Sequence, residues 1–419
     1  MTVEPVFAHT PIEKGMYESF YLRAVSPQEP VGVWLRYTVH KRPDRPPQGS
    51  LWCTVFDARL GAPFMHKHTT PELAVPAGGW IQIGPNVEAA GALAGVTGGE
   101  QSSGGEQSSG SQQGSGSQQG SGSEQSSGSQ QGSGDEQDSD GGGVEQKDAV
   151  AGRASDGGRL GPTAADGRCG PARWSLLISG AEPELRHLKQ SWLYRAPLPR
   201  TKLTSPAPAA SFDGTIDLPD RTIELRGWRG MVGHNWGAEH AERWIWLHGI
   251  DFAEDGAAWL DVALGRVLIA GRLTPWMASG AISLDGRRLR LGGLGARGVR
   301  VAESAARCSL TLPGEGGLLV EAHVDNPPGA AAGWRYADPG RHGDGSKSDV
   351  PAGEPSAGSV PAERAGEHDV VNCSVASLSL NVRPRGGAAR TLHTAHGAAY
   401  ELGMRERDHG VPLAPFGDG

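Results

Sequence analysis

The sequence predicts an all-β protein of two tandem antiparallel β-barrel domains interrupted by a long disordered insertion. Three observations carry that expectation. Apolar and polar residues alternate with period two through most of the chain, Pro, Gly and Asp turn signals separate the runs, and one stretch, 98–143, is low-complexity repeat without a single Lys or Arg.

The 419 residues allow two domains, each large enough for its own core. The first is expected over 1–225. Alternating runs at 17–23, 31–39 and 51–57 open it, and runs at 212–218 and 222–228, joined by Pro219-Asp220, close it. Its one helical spacing is Leu185, Leu188 and Trp192, which predicts a short helix over 183–194. Glu-Gln-Ser-Ser-Gly and Ser-Gln-Gln-Gly-Ser-Gly units recur from 99 to 134. A β-helix would need an apolar position in each unit, and none is present, so a disordered insertion is expected from about 93 to 168.

The second domain is expected over 226–419. Its runs fall at 243–252, 257–264, 266–272, 281–284, 287–291, 298–302, 307–312, 318–324, 370–382 and 398–405. Asp255-Gly256 and Asp285-Gly286 read as hairpin turns between them. A second polar, Pro- and Gly-rich insertion is expected at about 337–367. Both insertions fit between neighbouring strands, because the entropy cost of closing a loop grows only slowly with its length.

The formal charge of −8 sits mostly in the repeat, whose seven carboxylates leave the remainder near about −1. A neutral body lacks the basic field of a nucleic-acid binder and gives no reason for docking on anionic lipid. No apolar run is long enough for a spanning helix, and the first residues have neither a basic nor an apolar leader region. Cys53, Cys169, Cys308 and Cys373 are far apart, and three of them lie in apolar alternating runs as small core residues do. A cytoplasmic protein with reduced thiols is the expectation; its oligomeric state is left open.

Walker loops, HExxH, GxSxG and dinucleotide fingerprints are absent, so no cofactor is expected. The densest chemistry lies at 227–252, where Trp228, Trp236, Trp244 and Trp246 stand among three histidines, three carboxylates and Asn235. On a strand from 243, Trp244, Trp246, His248, Ile250 and Phe252 share one face, opposite Ile245, Leu247 and Asp251. An ordinary aromatic core explains the tryptophans equally well, but the density of polar groups beside them favours a site. His66 and His68, with His234, His240 and His248, could supply metal ligands, as could His393 and His396, but nothing in the spacing makes them converge, and no metal is expected.

The segment 233–248, Gly-His-Asn-Trp-Gly-Ala-Glu-His-Ala-Glu-Arg-Trp-Ile-Trp-Leu-His, resembles the Asn-Trp-Gly segment and following Trp-rich strand of the two-barrel lipocalin-like (calycin-like) group. That group includes carotenoid 1,2-hydratases (hydroxyneurosporene synthases), tocopherol cyclases and fungal pericyclases. The aromatic run 17–23, the stretch Trp-Leu-Tyr-Arg-Ala-Pro-Leu-Pro at 192–199 and Ala-Tyr-Glu-Leu-Gly-Met-Arg at 399–405 fit it more loosely. The resemblance implies an apolar pocket for an isoprenoid-like or polyketide-like molecule and cofactor-independent hydratase, cyclase or isomerase chemistry by alkene protonation or substrate orientation. It requires a carboxylic acid kept neutral and aromatic faces that tolerate a cation. Glu239 and Asp251 are the candidate acids, His240 their partner, Asn235 an orienting group, and Trp236, Trp244, Trp246 and His248 the ligand-binding wall. The alternative is a carrier or sensor that uses the same pocket without chemistry, and a third reading is a scaffold whose repeat is the working part.

Overall fold

A computed structural model describes residues 3–85, 155–269, 271–339 and 366–418. The repeat and most of the second insertion lie outside the described residues. Inside them the architecture is all-β, with two distinct antiparallel sheets, one a nearly closed barrel and the other a curled half-barrel. Helical structure among the described residues is limited to three short 3-10 turns, Ile12–Lys14, Ser191–Tyr194 and Glu315–Gly317. None of the described helices is long and apolar enough to cross a membrane.

The first sheet uses β1 (Met16–Val25), β2 (Val31–Arg42), β3 (Arg45–Asp57), β4 (Phe64–Thr70), β5 (Leu73–Ala74) and β6 (Ile81–Ile83). It continues with β7 (Gly157–Leu160), β8 (Ala164–Cys169), β9 (Ala172–Ser179), β10 (Leu185–Arg186), β11 (Thr201–Asp217) and β12 (Thr222–Gly237). Their order is β4-β3-β2-β1-β12-β11-β9-β8-β7-β6-β5, with β10 on β11.

The second sheet uses β13 (Arg243–Gly249) and β14 (Trp259–Arg266), and a hairpin of β15 (Leu268–Ile269) and β16 (Arg272–Leu273) stands apart from it. The sheet resumes with β17 (Met277–Leu284), β18 (Arg287–Gly292), β19 (Arg300–Glu303), β20 (Arg307–Pro313) and β21 (Leu319–Asp325). β22 (Ala332–Ala337), β23 (Glu367–Arg383), β24 (Arg390–Met404) and β25 (Leu413–Asp418) complete it. Its order is β18-β17-β14-β13-β24-β23-β21-β20-β19, with β22 pairing β23 and, in parallel, β25. Asp285 and Gly286 both take positive φ between β17 and β18, as a type I′ hairpin requires.

Period two alone would leave one face of each strand to water. β1 is instead buried along its whole length, because the second sheet covers its outer face. Phe20, Leu22 and Ala24 join Val33, Leu35, Leu51 and Val55 in the first barrel's core, while Tyr21 and Val25 join Trp34, Trp52 and Phe56 in a core shared with the second sheet. Trp34 stacks on Trp334 of β22 at 4.9 Å, and Trp52 meets Phe416 edge-on at 5.4 Å. The backbones themselves come close, since a Cβ on Gly32 would lie 2.7 Å from the Ser374 carbonyl oxygen. Only a residue without a side chain fits there.

Three local expectations need correction. Residues 183–194 do not form an α-helix: Leu185 and Arg186 extend the sheet beside β11, 191–194 is a single 3-10 turn, and of the expected apolar face Leu185 is buried whereas Trp192 is largely exposed. The far margin of the expected disordered stretch is strand, β7 and β8, whose Leu160, Ala165 and Cys169 are buried in the first core. The expected boundary at 225/226 falls inside β12, and the chain passes between sheets over 238–242. All four cysteines are free and buried.

Candidate functional site

Where the two sheets face each other, the outer row of β1 (Tyr17, Ser19, Tyr21, Arg23) meets β13, Tyr21 against Trp246 and Arg23 against His248, with Trp244 in the same row of β13 as Trp246 and His248. Parity along β13 puts those three on the same face, and Ile245 and Leu247 turn the other way into the apolar core. Tyr21 meets Trp246 edge-on at 5.3 Å. Polar groups gather at both ends of this row.

At one end Arg23 is fully buried and donates to His248 Nδ1 at 2.8 Å, to the Gly397 carbonyl at 3.1 Å and to the Ser374 carbonyl at 3.0 Å. His248 Nε2 donates to the Pro208 carbonyl at 2.9 Å. Accepting from a guanidinium fixes the neutral tautomer, and burial followed by the Arg23 charge pushes the imidazole down to about 3. Burial likewise lowers Arg23 to about 10. Beside them Trp246 Nε1 donates to Asp261 Oδ1 at 3.1 Å, and Ser205 gives its single proton to Asp261 Oδ2 at 2.5 Å. His187 then donates on both sides, from Nε2 to Ser205 Oγ at 3.1 Å and from Nδ1 to the Ser279 carbonyl at 3.0 Å. Burial alone would raise the Asp261 carboxyl, but His187 and the Ser205 hydroxyl hold it below the ordinary carboxylate value.

Asp251, just past β13, has φ of 54° and lies 3.4 Å from the Arg229 guanidinium. Its Oδ2 is buried without a hydrogen-bond partner. Burial raises its pKa against the pull of Arg229 and Arg23. Among the described carboxyls with a resolved shift, it alone moves toward the protonated form; Asp57, Asp261, Asp338 and Asp418 move the other way.

At the other end of the row His240 stacks on Tyr17 at 4.1 Å and holds Asp338 through both Nδ1 and its backbone N–H, each at 2.8 Å. Trp244 stands edge-on to His368 at 5.2 Å and donates to Glu401 at 3.0 Å. A third group lies within the first barrel, where Glu18 accepts from His234 Nε2 at 2.7 Å and from the backbone N–H of Val6 at 2.9 Å. Phe20 and Trp236 both stack on that imidazole, at 4.0 and 4.5 Å.

The residues singled out in 233–252 therefore divide three ways. Trp246, His248 and Asp251 gather at the Arg23 end. Glu239, ion-paired with Arg200, joins His240 and Trp244 at the other end. Trp236 packs into the first barrel, and Asn235 beside it keeps a buried Oδ1 without a partner. The suggested metal set does not assemble: His248 has both nitrogens engaged, His234 faces Glu18, and His396 Nε2 bonds the Ser26 carbonyl at 2.9 Å. Reasoning from the sequence missed Glu18, Arg23, His187, Asp261, Asp338 and His368. A charged residue inside an apolar run, as in Leu22-Arg23-Ala24 and Leu260-Asp261-Val262, is the signal that could have found two of them, and His368 stands at the edge of the apolar run that begins at Val370.

No profile of a known protein family matches the chain. It is 27% identical over 192 residues, 45% of its length, to an uncharacterized protein of Mycobacterium tuberculosis present in two strains. The chain spans about half the length of that relative, 55%. In structure it is similar to CghA, solved with Sch210972, with a TM-score of 0.50 at 10% identity over 93% of this chain and 88% of CghA. Kievitone hydratase from Nectria haematococca aligns over 96% of this chain and 93% of its own, with a TM-score of 0.41 at 8% identity. At such identities the CghA likeness is one of fold alone.

Proposed function

We propose that this chain is a hydratase-, cyclase- or isomerase-type enzyme acting on a hydrophobic isoprenoid-like or polyketide-like molecule, by protonating or orienting an alkene between the two sheets. The reading rests on two features near the Arg23 end of the row, the edge-on contact of Tyr21 with Trp246 and the bias of the Asp251 carboxyl toward its neutral form. An alkene accepts a proton only from an acid that holds one near neutral pH, and the resulting cation is stabilised by aromatic faces. Asp251 is the proposed donor and Tyr21 with Trp246 the proposed wall. Glu239, whose carboxylate is paired with Arg200, is the weaker candidate acid.

Long-chain isoprenoid analogues are expected to quench tryptophan fluorescence. Trp246→Ala should weaken their binding by about 1–3 kcal/mol, the value of one large buried side chain. Asp251→Asn should abolish deuterium incorporation from heavy water into a turned-over alkene while leaving affinity within a few-fold, since a lost proton donor matters only in the transition state. Binding without turnover in the parent would favour a carrier of the same ligand. Unchanged binding in Trp246→Ala and unchanged turnover in Asp251→Asn would remove the site from this end of the row.

A further inference from the structure

Where β22 ends, where β23 begins and where the chain passes from β12 to β13, three side chains of ligand chemistry meet. One ligand atom from each of His240, Asp338 and His368 lies within 4.8 Å of the other two. Asp338 is 2% exposed and His368 fully buried. Yet Asp338 Oδ2 and both ring nitrogens of His368 have no hydrogen-bond partner. Buried polar atoms that have given up water without a replacement are rare in folded proteins, and three in one cluster point to a shared partner.

The donor set says which partner. Two imidazoles and one carboxylate, with no thiolate, suit divalent first-row ions such as zinc, whereas calcium and magnesium take oxygen ligands. At metal–ligand bonds of about 2.0–2.2 Å the ligand atoms of a tetrahedral site stand about 3.4 Å apart, so a set already within 4.8 Å of one another has little over an ångström to close at most. The surroundings already fix the rings: Tyr17 and Tyr336 stack on His240 at 4.1 and 5.5 Å, and Trp244 stands edge-on to His368. The His240 backbone N–H on Asp338 Oδ1 is the kind of outer hydrogen bond that orients a ligating carboxylate.

We propose that His240, Asp338 and His368 bind one divalent transition-metal ion of the zinc class, fastening the passage between the sheets to the ends of β22 and β23. This departs from the metal-free expectation drawn from the sequence and is independent of the catalysis proposed above. The test uses the full chain, stripped with chelator and titrated with zinc or cobalt(II). One equivalent should be retained, with a higher melting temperature and, for cobalt, the intense visible bands of a low-coordinate site. Asp338→Asn and His368→Gln should each weaken binding at least about tenfold, and replacing His66 and His68 with Ala should leave it unchanged. If either ligand variant fails to fold, the cobalt spectrum of the parent decides, and only the weak bands of a fully hydrated ion would count against the site. Absence of a retained ion in the folded parent, equal binding by the ligand variants, or loss of the ion with His66 and His68 would overturn the proposal.

Discussion

His248 has a donor on one ring nitrogen and an acceptor on the other, so the folded protein contains the neutral imidazole, with a pKa pushed down to about 3 by burial and by Arg23. His40, also buried, is pushed down to about 4. An unfolded chain titrates these rings at about 6.5. Between those values the unfolded state binds protons that the folded state does not, so stability is full above about pH 6.5 and falls as pH drops toward 4. The melting temperature measured across that range should decline, and His248→Gln, which no longer titrates, should flatten part of the slope even though it lowers the plateau. A variant whose slope matches the parent would mean that the ring is not held neutral. Parity along 243–252 is enough to place Trp244, Trp246 and His248 on one face, because it depends only on neighbours in sequence. What those side chains touch was not legible: Arg23 meets His248 from β1, and His368 meets Trp244 from β23, and no local rule links such distant positions. Asp338 and His368 were hidden further, since they sit at the margins of a polar stretch that reads as an insertion.

Most individual strands are legible, because alternation within a run is local and half-burial leaves a strong signature. β7 and β8 are not, since their Gly-Gly-Arg-Leu and Ala-Ala-Asp-Gly-Arg-Cys carry little apolar pattern, and it is pairing with β6 and β9 that makes them strands. The β6–β7 pair is informative in another way. Ile83 stands opposite Gly158, so the sheet is continuous across the repeat-bearing connection, and the two strands are neighbours whatever its length. Each doubling of a flexible connection costs only about 0.6 kcal/mol of closure entropy. Deleting 98–143 should therefore raise stability slightly, by about 1 kcal/mol or less, and shift the melting temperature by no more than a few degrees. A deletion variant that cannot fold would show that the repeat contributes packing of its own.

At the scale of the molecule the two sheets share a core, and the stacked pair Trp34 and Trp334 joins strands of both. Trp34→Ala should cost about 3–5 kcal/mol, the usual range for a large aromatic removed from a packed interior. Unfolding followed by tryptophan fluorescence and by far-ultraviolet circular dichroism should remain coincident in that variant, because weakening the shared core weakens both halves together. Two separated transitions would instead mean that each sheet stands alone. That the chain is all-β is readable from turn spacing, but that its two sheets share a core is not, since period two cannot say what covers a strand's second face. β1 bears the consequence of that second cover. A strand with one wet side can accept most polar substitutions there, whereas β1, walled in from Met16 to Val25, has to satisfy one core with its even positions and another with its odd ones. Variation among descendants of this chain should therefore collect in the long connections between strands, and β1 should drift least, held in place by two partners that would both have to change with it.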